Sequence, residues 1–196
     1  MSLTAFVRHT GKCAALPRAN VDTDQIIPKQ FLKRVDRTGF GPALFHDWRF
    51  RPDGSENPEF ELNRPDAVGA TILITGANFG CGSSREHAVW ALAEYGFRAI
   101  LAPSFADIFF TNCCQNGVAP VRLSGDGINE LLRRCRGGAY RLTVDLEAQQ
   151  VADETGFKEA FTMEAYRREM LLRGLDEIGR TLLEEARITA FERSRA

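Results

Sequence analysis

Ala70-Thr71-Ile72-Leu73-Ile74-Thr75, then Asn78-Phe79-Gly80-Cys81-Gly82-Ser83-Ser84-Arg85-Glu86-His87, then Ala88 to Phe97: this stretch decides the fold. The first segment is an apolar run of strand type, and the last has the apolar spacing of a helix. A strand, a glycine-rich turn and a helix start make an anion-binding arrangement. The first backbone N–H groups of a helix have no intrahelical partner, and the helix dipole is positive there. Gly80 and Gly82 permit positive φ and close backbone approach. Ser83 is placed to cap the helix, with Glu86 completing a Ser-x-x-Glu capping box. Ser84 and Arg85 then fall in the first turn, beside any bound anion.

Arg98 to Ala102 reads as a second buried strand after Gly96 ends the helix, so residues 70 to 102 form a βαβ unit with parallel strands. In such units ligands sit at the carboxyl ends of the strands, which is where Cys81 to Arg85 lie. Upstream, residues 5 to 16 read as a strand or a short hairpin about Gly11-Lys12. Downstream, Ser104 is placed to cap a helix through Gln115, and Val118 to Val121 is a short strand. Asp126 is placed to cap a helix ending at Cys135, and Tyr140 to Leu146 alternates as a strand with partners near Gln150 and Gly156. Met163 to Arg173 and Thr181 to Arg193 read as terminal helices. The whole is α/β, a single domain over 1–196 with a helical extension from about 162.

The 196 residues carry a formal net charge of −1, which argues against nucleic acid or an anionic membrane as the main partner. No apolar run approaches the ~20 residues of a transmembrane helix. The amino terminus lacks the pattern of a signal peptide. Five cysteines (Cys13, Cys81, Cys113, Cys114 and Cys135), without a Cys-x-x-Cys, suggest free thiols in a reducing compartment, hence the cytoplasm, and no metal or iron–sulfur site on this chain.

Three chemistries compete for the central turn. A dinucleotide or phosphate loop needs a third glycine after Gly80-x-Gly82 or a Gly-Lys-[Ser/Thr] end, and neither is present. A nucleophilic Cys81 would gain from the helix N-terminus and Arg85, with His87 near in sequence. Carboxylate binding would use Arg85 as a bidentate clamp, with turn N–H groups and serine hydroxyls at the reacting centre. Before this unit, Asp22-Thr23-Asp24 is either an Asx-type turn or the source of a carboxylate that orients an active-site group. Lys29, Lys33, Arg34 and Arg37 make a cation-rich segment ahead of Gly39-Phe40-Gly41. It could close on an anion or simply be solvated.

The segment Asn78 to His87 strongly resembles the swivelling domain of the aconitase superfamily, and Val21-Asp-Thr-Asp-Gln-Ile-Ile-Pro28 is similar to that domain's first active-site loop. Phe40 to Trp48, Pro103 to Phe109 and Gly174 to Gly179 look like the small subunits of bacterial isopropylmalate dehydratases. The resemblance covers nearly the whole chain. It implies a three-layer β/β/α swivelling domain, aconitase C-terminal-domain-like, with C-terminal helices. It further implies a hydro-lyase of leucine biosynthesis that interconverts 2- and 3-isopropylmalate through isopropylmaleate. This activity would need a separate large subunit that carries a [4Fe–4S] cluster. By the same resemblance Ser83 maps to the base, Ser84 and Arg85 to substrate-carboxylate binding, and Asp24 to a supporting carboxylate. The family's further substrate arginine falls in a differently spaced loop, so Lys33, Arg34, Arg37 and Thr38 are all substrate-binding candidates. The same features would also suit a related hydro-lyase acting on methylmalate, citraconate or homoaconitate-like substrates, or a stand-alone carboxylate-binding module.

Overall fold

The computed structural model describes residues 3–33 and 38–195. In chain order, the first elements are β1 (Arg8–Leu16), α1 (Thr23–Ile26), α2 (His46–Arg49), β2 (Ile72–Thr75), α3 (Glu86–Tyr95) and β3 (Ala99–Ala102). They are followed by α4 (Asp107–Gln115), β4 (Ala119–Arg122), α5 (Gly125–Cys135), β5 (Arg141–Asp145), β6 (Gln150–Ala152) and β7 (Lys158–Ala160). Three helices close the chain: α6 (Ala165–Arg173), α7 (Glu177–Leu182) and α8 (Glu185–Arg193).

Strand β1 joins the two halves of the molecule because it changes partner along its length. Its first residues, Arg8 to Lys12, run antiparallel to β5, and its last, Cys13 to Leu16, run parallel to β2. The sheet order is β4-β3-β2-β1-β5-β6-β7, parallel on one side of β1 and antiparallel on the other. Strands β2 and β3 are buried at every residue, as parallel strands covered on both faces must be, whereas β5 alternates. Helix α5 packs across β1, β2 and β3. Two strand layers sharing β1, with helices on the parallel one, give the β/β/α class expected from the sequence.

Gly11 shows why residues 5 to 16 are not a hairpin. It lies inside β1, just before the change of partner, and a Cβ there would come within 2.0 Å of Thr71 Oγ1 and 2.7 Å of His9 Nε2. Those two side chains hydrogen-bond to each other at 2.7 Å across the space the glycine leaves. The glycine is needed for close packing rather than for a turn.

Other boundaries also shift. Ser104 does not cap α4; its Oγ accepts from Asn78 N at 2.8 Å, and the helix begins at Asp107. Ser124, not Asp126, caps α5, accepting from Gly127 N at 2.9 Å, and this puts Asp126 in the first turn, where the dipole favours it. The last helix divides into α7 and α8. Asp176 accepts from Gly179 N at 2.6 Å and starts α7 before Thr181, so Gly179 lies within a helix. Among the described residues no helix is long and apolar enough to cross a membrane.

Glycine in a strand interior ordinarily weakens it relative to alanine. At Gly11 the sign reverses. Gly11→Ala is expected to lower folding stability by about 1–3 kcal/mol through overpacking, read as a lower urea midpoint. An unchanged or raised midpoint would show that the His9–Thr71 pair does not fill this space.

Candidate active site

The turn after β2 is held between two neighbouring loops. On one side, Asn78 N donates to Ser104 Oγ at 2.8 Å, Phe79 N to Ser104 O at 3.1 Å, and Ala106 N to Phe79 O at 3.1 Å. On the other, Gly80 N donates to Val21 O at 2.8 Å and Thr23 N to Cys81 O at 2.9 Å, while buried Thr23 Oγ1 donates to Ser83 O at 2.8 Å. Bonds of this kind contribute about 1 kcal/mol each, so the set fixes the turn firmly. Gly80 has φ +75°, and a Cβ on it would lie 2.1 Å from the Phe109 ring, so no side chain fits at this position.

This tethering delays the helix. Arg85 is extended, at φ −132° and ψ 111°, and α3 begins at Glu86. The expected Ser83/Glu86 capping box is absent, because Thr23 holds the Ser83 carbonyl outside the helix. Glu86 turns to α4 instead, where its Oε1 accepts from Asn116 Nδ2 at 2.9 Å. Gly82, Ser83 and Ser84 are left exposed. Neither serine hydroxyl, and none of the backbone N–H groups from Gly82 to Arg85, takes a partner among the described residues. The donors that a helix cap would have consumed therefore face solvent.

The two aspartates of Asp22-Thr23-Asp24 point to different partners. Asp22 caps α1: its Oδ1 accepts from Gln25 N at 2.8 Å, and Gln25 Oε1 accepts from Asp22 N at 2.9 Å. Asp24 points to the central turn, where its Oδ1 accepts from Arg85 Nη1, and its Oδ2 lies 3.6 Å from Lys29 Nζ. The Arg85 side chain is 17% exposed. One of its terminal nitrogens is committed to Asp24, which orients the guanidinium and leaves further donors of the fork for a ligand. Ser83, Ser84 and Arg85 line one cleft of about 280 Å³ with Thr23, Asp107, Ile108 and Phe109.

Cys81 and His87 do not form a catalytic pair. The His87 ring packs on Trp90 at 4.7 Å between centroids and edge-on to Phe40 at 5.3 Å. Burial, then the Asp22 carboxylate, push the Cys81 thiol above its ordinary pKa, the reverse of what a nucleophile needs. The other four cysteines are buried, and burial raises Cys114 to about 12. Among the described residues no group of three His, Cys, Asp or Glu is placed to hold a metal.

No described residue of the cation-rich segment lines this cleft. Lys33 is exposed and does not line it. Thr38 lines a neighbouring cleft of about 530 Å³ with Glu86, Trp90 and Asn116. Arg34 and Arg37 lie outside the described residues. Two residues had no signal of their own in the sequence: Thr23, the donor to the turn, and Glu94, whose carboxylate accepts from Gly39, Phe40 and Gly41 N. Only the placement of neighbouring elements reveals them.

A family model described as the aconitase C-terminal domain matches residues 3–126, and one described as LeuD_N matches residues 129–165. Fold and site thus define a domain of the aconitase C-terminal class. The chain is 62% identical over 192 residues to a 3-isopropylmalate dehydratase small subunit of Rhodopirellula baltica, covering 97% of this chain and 98% of the relative. It is 59% identical over 188 residues to one of Geobacillus kaustophilus, covering 96% and 95%. A crystal structure of a 3-isopropylmalate dehydratase of Methanocaldococcus jannaschii shares the fold, with TM-score 0.67 at 24% identity over 95% of this chain and 99% of that one. The chain belongs to the family of 3-isopropylmalate dehydratase small subunits.

The raised thiol makes a direct test of the cysteine. At pH 7, iodoacetamide is expected to alkylate Cys81 no faster than free cysteine, with the rate climbing as pH rises toward the thiol's elevated pKa. Rapid labelling at pH 7 would restore the nucleophile reading.

Proposed function

We propose that the 280 Å³ cleft is this chain's half of the active site, which converts 2-isopropylmalate to 3-isopropylmalate by loss and re-addition of water. One observation carries the proposal: two serine hydroxyls and a run of backbone N–H groups without partners among the described residues, and an arginine oriented by a carboxylate, all meet in this cleft. A dicarboxylate substrate needs such donors. Arg85 and Ser84 bind one carboxylate, with Arg85 held in place by Asp24. Ser83 takes the proton from the substrate carbon in the dehydration half and returns one at the neighbouring carbon in the hydration half. A serine acts as a base only if its alkoxide is stabilised, and the adjacent N–H groups and the Arg85 charge supply that stabilisation.

The residues of this chain do not fit a [4Fe–4S] cluster. Four cysteine thiols are buried in the core and the fifth is deprotonated less readily than a free thiol. We therefore place the cluster on the large subunit and assign no cluster ligand here. The exposed edge of the cleft, from Gly82 to Ser84, is the side from which that subunit completes the site.

With the large subunit present, Ser83→Ala is expected to lower kcat by roughly 10²–10⁴-fold, the usual contribution of a general base, without loss of assembly. Arg85→Lys keeps the charge but loses the fork. It is expected to lower kcat/KM by about 10–100-fold, the worth of a charged hydrogen bond. Steady-state kinetics on 2-isopropylmalate reads both, and a near-normal kcat for Ser83→Ala places the base elsewhere.

A further inference from the structure

The loop that leads into α1 and the turn after β2 run side by side as a short parallel ladder. Asp22 and Cys81 form a parallel bridge, with Gly80 N donating to Val21 O at 2.8 Å and Thr23 N to Cys81 O at 2.9 Å. The next backbone rung of such a ladder would use Gln25 N or Thr23 O. Helix α1 has already taken both. Gln25 N donates to Asp22 Oδ1 at 2.8 Å, and Ile27 N donates to Thr23 O at 3.0 Å. The backbone ladder therefore stops at Cys81, two residues short of Ser83.

The Thr23 side chain adds the missing rung. Its hydroxyl donates to Ser83 O at 2.8 Å. Thr23 is buried, whereas Ser83 is exposed, yet both line the cleft with Ser84 and Arg85. The tie to Ser83 is thus shielded from water, while the Ser83 hydroxyl is open to a ligand. Consecutive residues of one loop hold the two functional groups of the turn: Thr23 holds the main chain of Ser83, and Asp24 holds the guanidinium of Arg85.

We propose that Thr23 is a positioning residue for proton transfer. Its hydroxyl sets where the Ser83 side chain stands relative to Arg85 and to the substrate carbon. The proposal rests on the reading of Ser83 as the base. It accounts for a buried hydroxyl between the two aspartates, where neither the cap of α1 nor the Asp24–Arg85 pair needs one.

The test uses the complete two-subunit enzyme with 2-isopropylmalate. Thr23→Val keeps the shape and removes the donor. It is expected to lower kcat by roughly 10–100-fold with KM within about threefold, because a reacting group is displaced while Asp24 and Arg85 still hold the carboxylate. Thr23→Ser keeps the hydroxyl and is expected to hold kcat within about threefold of wild type. A near-normal kcat in Thr23→Val overturns the proposal, as does a rise in KM alone. A Thr23→Ser variant as slow as Thr23→Val also overturns it, since methyl packing would then be the cause. In a Ser83→Ala background, adding Thr23→Val should cost less than about threefold further in kcat, because Thr23 acts only through Ser83. A second loss as large as the first overturns the proposal. Should Thr23→Val not assemble, Thr23→Cys carries the test. A thiol is a weak donor, so kcat is expected roughly 3–10-fold below that of Thr23→Ser; a kcat equal to wild type overturns the proposal. A near-normal kcat in Ser83→Ala removes the base assignment and this proposal with it, whereas a slow Ser83→Ala beside a normal Thr23→Val removes this proposal alone.

Discussion

Buried Thr23 makes two hydrogen bonds on which the rest of the site depends. Its backbone N–H reaches Cys81 O at 2.9 Å and its hydroxyl reaches Ser83 O at 2.8 Å. These bonds pull the carbonyls of the central turn toward the 20–23 loop. Residues 82 to 85 therefore cannot wind into α3. Their N–H groups and hydroxyls stay available, while the helix that follows still presents its positive end beside them. The turn withholds a cap: among the described residues, the donors that would have stabilised a helix start remain unmet.

The same loop contributes the charge balance. An arginine brought to a cleft edge samples many rotamers, and a carboxylate on one nitrogen fixes its plane. Asp24 does this for Arg85, and Asp22, two residues earlier, secures the short helix that carries Asp24. The cleft is thereby built by two loops and the first turn of α4, brought together because β1 and β3 flank β2 in the parallel half of the sheet. The topology sets which loops meet, and the loop sequences set what they offer.

Much of this was legible in the sequence. The apolar runs of β2 and β3, Gly96 after α3 and the spacing of Gly80 and Gly82 all have local causes, and local causes can be read from one stretch at a time. The Asx-type turn read in Asp22-Thr23-Asp24 forms at Asp22, whereas Asp24 reaches across to Arg85. What could not be read were competitions settled by distant residues. Ser83 is a good cap by propensity, but Thr23 holds its carbonyl away. Ser104 is a good cap too, but Asn78 claims its hydroxyl. Gly11 looks like a turn residue, whereas its position is dictated by Thr71, which is remote in sequence. Asp126 gave way to Ser124 two residues upstream, since both are good helix starters and propensity alone does not rank them. Glu94 carried no local signal, because its partners lie far upstream in the chain.

On the proposed function this chain supplies half of an active site: a base, a carboxylate clamp and an exposed rim, with the cluster brought by another subunit. The most direct measurement is an anaerobic assay of 2-isopropylmalate turnover on the purified chain, alone and then titrated with the cluster-bearing large subunit. The account predicts no turnover by the chain alone and activity that rises to saturation as the large subunit is added. Dehydratase turnover by the isolated chain would contradict it.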